Sequence, residues 1–138
     1  MPQANYLLLN GAIVLLVGLL CGIPLGRAIL KGASDGSIRA WRVAHSGLSM
    51  GAVLLLALAT AISLVELGPM GSWALVWSFV VSGYGFAIAL PLGAHFGHRG
   101  LTADPPALNR LVYLGNMAGV IGSLLGTVLL VLGACAAL

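Results

Sequence analysis

Residues 1–26, 43–65, 67–98 and 111–138 contain no Asp, Glu, Lys or Arg. A helix crosses the hydrocarbon of a bilayer with about 20 mostly apolar residues, at a rise of about 1.5 Å each. All four stretches are long enough. The chain therefore reads as all-α, an integral membrane four-helix bundle filling residues 1–138, with spans near 6–25, 43–65, 73–96 and 108–131.

Composition agrees with that solvent. Charged residues make up 7% of the chain, against about 25% in a soluble domain. The 20 glycines suit membrane helices, which pack closely through small residues. Six scattered Lys and Arg residues cannot build a phosphate-tracking surface, so no nucleic-acid partner is expected. Cys21 and Cys135 lie in apolar runs without a CxxC neighbour and read as packing residues. The first 26 residues lack a basic n-region and a clear small-residue cleavage site, so they read as a retained span.

Charge also orients the spans. Arg27, Lys31, Arg39 and Arg42 lie between spans one and two, and Arg99 and Arg110 between spans three and four. The termini and the short loop around Glu66–Gly71 carry no Lys or Arg. Excess Lys and Arg mark the cytoplasmic side. Loops one and three are therefore expected in the cytoplasm, with both termini outside, in a multi-pass protein of the cell inner (plasma) membrane. Trp73 and Trp77 read as belt residues at the outer interface. Pro24 should loosen the last turn of span one, and Ser37 is a candidate cap for a short helix containing Trp41.

Two glycine stripes mark contact faces. Gly18, Gly22 and Gly26 recur every four residues, and Gly115, Gly119, Gly122, Gly126 and Gly133 follow a similar rhythm. Such stripes permit close helix approach, within one chain or between chains. A closed homo-oligomer is expected for so thin a bundle.

Polar residues inside hydrocarbon need partners and seldom face lipid. His45 stands just inside span two, and His95 and His98 close span three on the same side. Asn109, Tyr113 and Asn116, spaced four and three residues apart, share one face of span four. The four helices are thus expected to converge on a polar cavity open towards the cytoplasm. An imidazole at His45 can ligate haem iron, act as a general acid or base, or pack with a satisfied hydrogen bond. All three readings are open on position alone. His95 and His98 are explained by a helix C-terminus. No short ligand motif supports a three-histidine metal site.

The stretch Gly32-Ala-Ser-Asp-Gly-Ser-Ile-Arg-Ala-Trp-Arg-Val-Ala-His45-Ser46-Gly47 resembles the segment before the second span of styrene oxide isomerases. Arg99-Gly100-Leu101-Thr102 is similar to the family's loop between spans three and four. The resemblance implies a small trimeric membrane enzyme that binds haem b near its subunit contacts. It places the iron ligand at His45, with Trp41, Arg42 and Ser46 beside the cofactor. The implied reaction rearranges a small hydrophobic aryl epoxide to an aldehyde without net redox change. Ferric haem acts there as Lewis acid, and a hydride migrates to the benzylic cation.

Two positions depart from the family's pattern. The resemblance implies an orienting Asn six residues after the histidine, where this chain has Gly51. It also implies a functional Tyr in span three, whose best local match is Ala87. Tyr84, Asn109, Tyr113 and Asn116 are the candidate replacements. Two other functions remain open. One is a non-isomerase haem protein such as a sensor or electron-transfer subunit. The other is a haem-free transporter or assembly protein.

Overall fold

The computed structural model describes residues 2–138, folded entirely as helices and short connections. The elements are α1 (Pro2–Leu20), α2 (Gly22–Leu30), α3 (Asp35–Ala61) with a 3-10 turn at Ile62–Leu64, α4 (Gly68–Phe96) and α5 (Ala107–Ala136). They form four rods of membrane length, Pro2–Leu30, Asp35–Leu64, Gly68–Phe96 and Ala107–Ala136.

The first rod is interrupted at Cys21, between α1 and α2. Pro24 explains the interruption. It has no N–H to offer the carbonyl of Leu20, and its ring crowds that carbonyl. The disturbance therefore falls a turn before the proline rather than after it.

The second rod starts earlier than its apolar stretch. Ser34, not Ser37, is the N-cap, and its Oγ accepts the Ser37 N–H at 3.4 Å. No separate helix surrounds Trp41. Arg39 and Arg42 limit how deep α3 can sit in hydrocarbon, but charge does not end a helix. Gly97, at φ 73°, closes α4 in the left-handed conformation that glycine adopts without strain.

α1, α3 and α4 enclose the core. Leu7, Leu55, Leu58, Leu75, Val76 and Phe79 fill the end away from the basic loops. Val14, Cys21, Ala44, Leu48 and Ala52 fill the end near them. α5 stands outside this trio and packs along α4. In lipid the gain comes from close van der Waals contact, not from expelled water. The glycines of α5 provide it within the chain. A Cβ at Gly85 would lie 2.7 Å from the Gly115 carbonyl oxygen, and one at Gly122 would lie 2.6 Å from the Ser78 carbonyl oxygen. The buried Ser82 hydroxyl donates to the Gly119 carbonyl at 2.7 Å across the same seam. At the far end the Glu66 N–H donates to the Gly133 carbonyl at 3.0 Å.

Candidate functional site

His45 lies ten residues into α3, about 15 Å along the helix from Asp35. It faces α1, where Gly18 and Gly22 present backbone instead of side chains. A Cβ at Gly22 would come within 3.3 Å of the ring nitrogen Nδ1, and one at Gly18 within 2.9 Å of the Ser49 amide nitrogen. The imidazole therefore rests on the bare surface of α1, and Nδ1 lies 2.9 Å from the Gly18 carbonyl oxygen. A carbonyl only accepts, so Nδ1 carries the hydrogen. In the neutral ring Nε2 then holds the lone pair. Nε2 makes no hydrogen bond among the described residues, and no buried side-chain nitrogen or oxygen is left unpartnered. It is thus an accessible donor atom on a ring whose other nitrogen is fixed.

The neighbouring hydroxyls are turned inward on their own helix. Ser46 Oγ donates to the Arg42 carbonyl at 2.7 Å, and Ser49 Oγ donates to the His45 carbonyl at 2.7 Å. Arg42 and Ser46 are exposed beside the half-buried His45. Trp41 turns elsewhere, into an apolar groove of about 470 Å³ between the Pro24 region and Pro91 of α4. Ala87 lines that same groove. A Cβ built at Gly51 meets nothing within 4 Å.

The polar residues do not gather around His45. A cavity of about 1000 Å³ does open at the basic end, but its walls come from α3, α4, α5 and the loop between the last two. α1 and His45 take no part in it. The expectation of one polar cavity shared by four helices is corrected accordingly. Val43 lines the cavity, and residues two apart on a helix project about 200° apart, so His45 turns to the opposite side.

The candidates from the other helices have their own partners. Tyr84 OH donates to Asn10 Oδ1 at 2.9 Å, and Asn10 Nδ2 donates to the Tyr6 carbonyl at 2.7 Å. Asn10 precedes Gly18 by two turns of α1, so the Tyr84 hydroxyl, from the middle of α4, meets α1 about 12 Å along the rods from the level of His45. Asn109 holds the α4–α5 loop: Oδ1 accepts the Gly100 N–H at 3.2 Å, and Nδ2 donates to the carbonyls of Thr102 and Asp104 at 3.0 Å. Asn116 Nδ2 donates to the carbonyls of Arg99 at 3.2 Å and Gly100 at 3.3 Å. Tyr113 is half-buried between these two anchors.

Among the described residues no three His, Cys, Asp or Glu side chains come together. A prosthetic metal would therefore depend on one protein ligand, and a porphyrin iron needs no more. The feature that sequence reasoning missed is the Gly18 carbonyl. Its only trace in the sequence is the four-residue spacing of Gly18 and Gly22.

A family model described as styrene oxide isomerase matches residues 3–135. No curated protein and no solved structure matches the chain.

Proposed function

The chain belongs to the styrene oxide isomerase family, and from that premise we propose a haem b-dependent membrane isomerase that converts a small hydrophobic aryl epoxide to an aldehyde. The observation that carries this reading is the His45 imidazole, with Nδ1–H held by the Gly18 carbonyl and Nε2 free. Metal-bound histidines characteristically donate their second ring N–H to a carbonyl or carboxylate, which fixes the tautomer and raises the basicity of the ligating nitrogen.

Nε2 of His45 would hold the haem iron. Arg42 and Ser46, exposed on the adjoining surface of α3, would meet the rim of the porphyrin, with Arg42 suited to a propionate. Trp41, a turn nearer the basic loops, would bound the site from the side of the apolar groove. When bound, ferric haem supplies a Lewis acid for the epoxide oxygen.

The protein's own contribution is shape and dryness. Apolar surface on α1 and α3 keeps water from the benzylic carbon while positive charge develops there, so the hydride can migrate first. Tyr113 holds no loop with its hydroxyl, but α5 packs along α4 and away from His45 within one chain, so it would orient a substrate only across a subunit contact. Tyr84, Asn109 and Asn116 would first have to exchange their present hydrogen bonds. We further propose a homotrimer in the plasma membrane, with the haem near the subunit contact and loops one and three in the cytoplasm.

Protein purified in mild detergent should show a Soret band and convert styrene oxide to phenylacetaldehyde. An intact band in His45→Ala protein would remove His45 as the ligand. A second reading, a haem protein without isomerase activity, draws support from Gly51 and Ala87, which offer no polar group at the two orienting positions the resemblance implies. A Soret band with no turnover of any aryl epoxide would favour it.

A further inference from the structure

The cavity at the basic end is not absorbed by the chemistry at His45. Arg39, His95, His98 and Arg99 line it, together with the N-terminal turn of α3, and no carboxylate does. Deeper in, the walls turn apolar through Leu90, Val112 and Ala89. The site is thus cationic at its rim and greasy at its floor.

Its sides are also unequal. α5 packs along α4 and does not pack against α3. The cavity takes walls from both α3 and α5, so it occupies the gap they leave. Below it, along α3, Gly47 and Gly51 leave a strip of bare backbone as a groove open beside the gap. A Cβ at Gly47 would meet only Leu90, at 3.7 Å, and one at Gly51 would meet nothing within 4 Å.

We propose that this cavity binds an anionic phospholipid. Its phosphate lies between Arg39 and Arg99, and one acyl chain runs down the groove past Gly47 and Gly51. Guanidinium groups match phosphate oxygens in pairs, while the Asp35 carboxylate in the first turn of α3, outside the cavity's lining, leaves no net positive helix end to add to them. A soluble phosphate ester would use the same arginines but would leave the apolar groove unfilled. The cavity stands at the end of the membrane-spanning rods, the level at which lipid headgroups lie. The occupant that satisfies both its charge and its floor is therefore a lipid.

The test uses delipidated full-length protein in detergent. It is titrated with dioleoyl phosphatidylglycerol, dioleoyl phosphatidylcholine or glycerol 3-phosphate while thermal unfolding is followed. Only the phosphatidylglycerol should raise the melting temperature. Arg39→Gln and Arg99→Gln should each weaken its binding about fivefold, the effect of one basic residue near an anionic lipid surface. Lys31→Gln, outside the cavity, should leave binding unchanged. Equal weakening by Lys31→Gln would reduce the effect to diffuse surface charge and overturn the site. Equal protection by phosphatidylcholine would overturn recognition of charge, and equal protection by glycerol 3-phosphate would overturn the lipid in favour of a soluble anion. Gly51→Leu keeps both arginines and obstructs the groove. It should weaken dioleoyl but not dihexanoyl phosphatidylglycerol, and equal binding of both lipids would overturn the groove as the seat of the chain.

Discussion

His45 Nδ1 lies 2.9 Å from the carbonyl oxygen of Gly18, 27 residues earlier in the chain, and this one contact joins the first two membrane rods at the depth of the proposed iron ligand. It makes the orientation of the imidazole a property of helix packing. Anything that lifts α1 from α3 should release the ring, and anything that inserts bulk between them should displace it.

His45→Ala should therefore lose haem without losing the fold. One imidazole is a small part of the α1–α3 contact, whose apolar core at that level is Val14, Ala44, Leu48 and Ala52. Helix content by circular dichroism should stay near wild type while the Soret band disappears, and free imidazole should restore part of it. Gly22→Leu tests the same geometry from the other helix. Its Cβ alone would crowd Nδ1 at 3.3 Å, so the ring must move. Haem content should fall in this variant although His45 is still present. Full haem occupancy in Gly22→Leu would show that the ring's seat on α1 is irrelevant to the ligand.

The α4–α5 seam should fail as part of the fold, not as a contact between subunits. A Cβ at Gly122 would meet the backbone at Ser78 and Ser82, which cannot move aside as a flexible side chain can. Gly122→Leu should lower stability by about 1–3 kcal/mol, the usual cost of overpacking, or splay the two helices. Ser82→Ala removes the hydrogen bond to Gly119 and should cost about 0.6 kcal/mol, the mean for such bonds between membrane helices. Thermal melts read beside size-exclusion profiles separate the two possibilities. Loss of the oligomer at an unchanged melting temperature would move the stripe to a subunit interface.

The sequence carried some of these features plainly and hid others for physical reasons. Four charge-free stretches announce four membrane-length helices, because lipid excludes charge along a whole span. The start of α3 was less legible. Arg39 and Arg42 end the apolar stretch, but a helix continues into water as easily as into lipid. The stripe from Gly115 to Gly133 names a contact face and not the neighbour, which proves to be α4 of the same chain as far as Gly126, and the Val65–Leu67 connection at Gly133. Asn109 and Asn116 share a face as their spacing requires, yet both turn to carbonyls of the preceding loop. Asn116 also lines the cavity at the basic end, whereas Asn109 does not, and spacing alone cannot separate the two roles. His45 stood out as an imidazole near the membrane interior. Its partner did not, because a backbone carbonyl leaves no mark in a sequence.

Asn109 provides a test that separates anchoring from catalysis. Its side chain makes three hydrogen bonds to the loop formed by Arg99 to Pro106. Asn109→Ala should loosen that loop and increase tryptic cleavage at Arg99 and Arg110, both exposed. Any epoxide isomerisation should become more heat-labile, with kcat at low temperature near wild type. A large fall in kcat at an unchanged cleavage rate would instead place Asn109 against the substrate.

The two cysteines offer a direct measurement of orientation. Cys135 is exposed at the end of α5, away from the basic loops, and Cys21 is buried where α1 meets α2. With all six Lys and Arg on the opposite side, Cys135 should face out of the cell. A membrane-impermeant maleimide added to intact cells or spheroplasts should label wild-type protein once, at Cys135. Cys135→Ala should abolish the label, since Cys21 is shielded by packing. Adding Thr102→Cys to that variant places a thiol at an exposed position of the α4–α5 loop, and it should react only after the membrane is opened. The paired variants guard against a false negative, because each serves as the other's control for reagent access. Labelling of Thr102→Cys in sealed cells, with Cys135 protected, would invert the protein and put the basic cavity on the outer face.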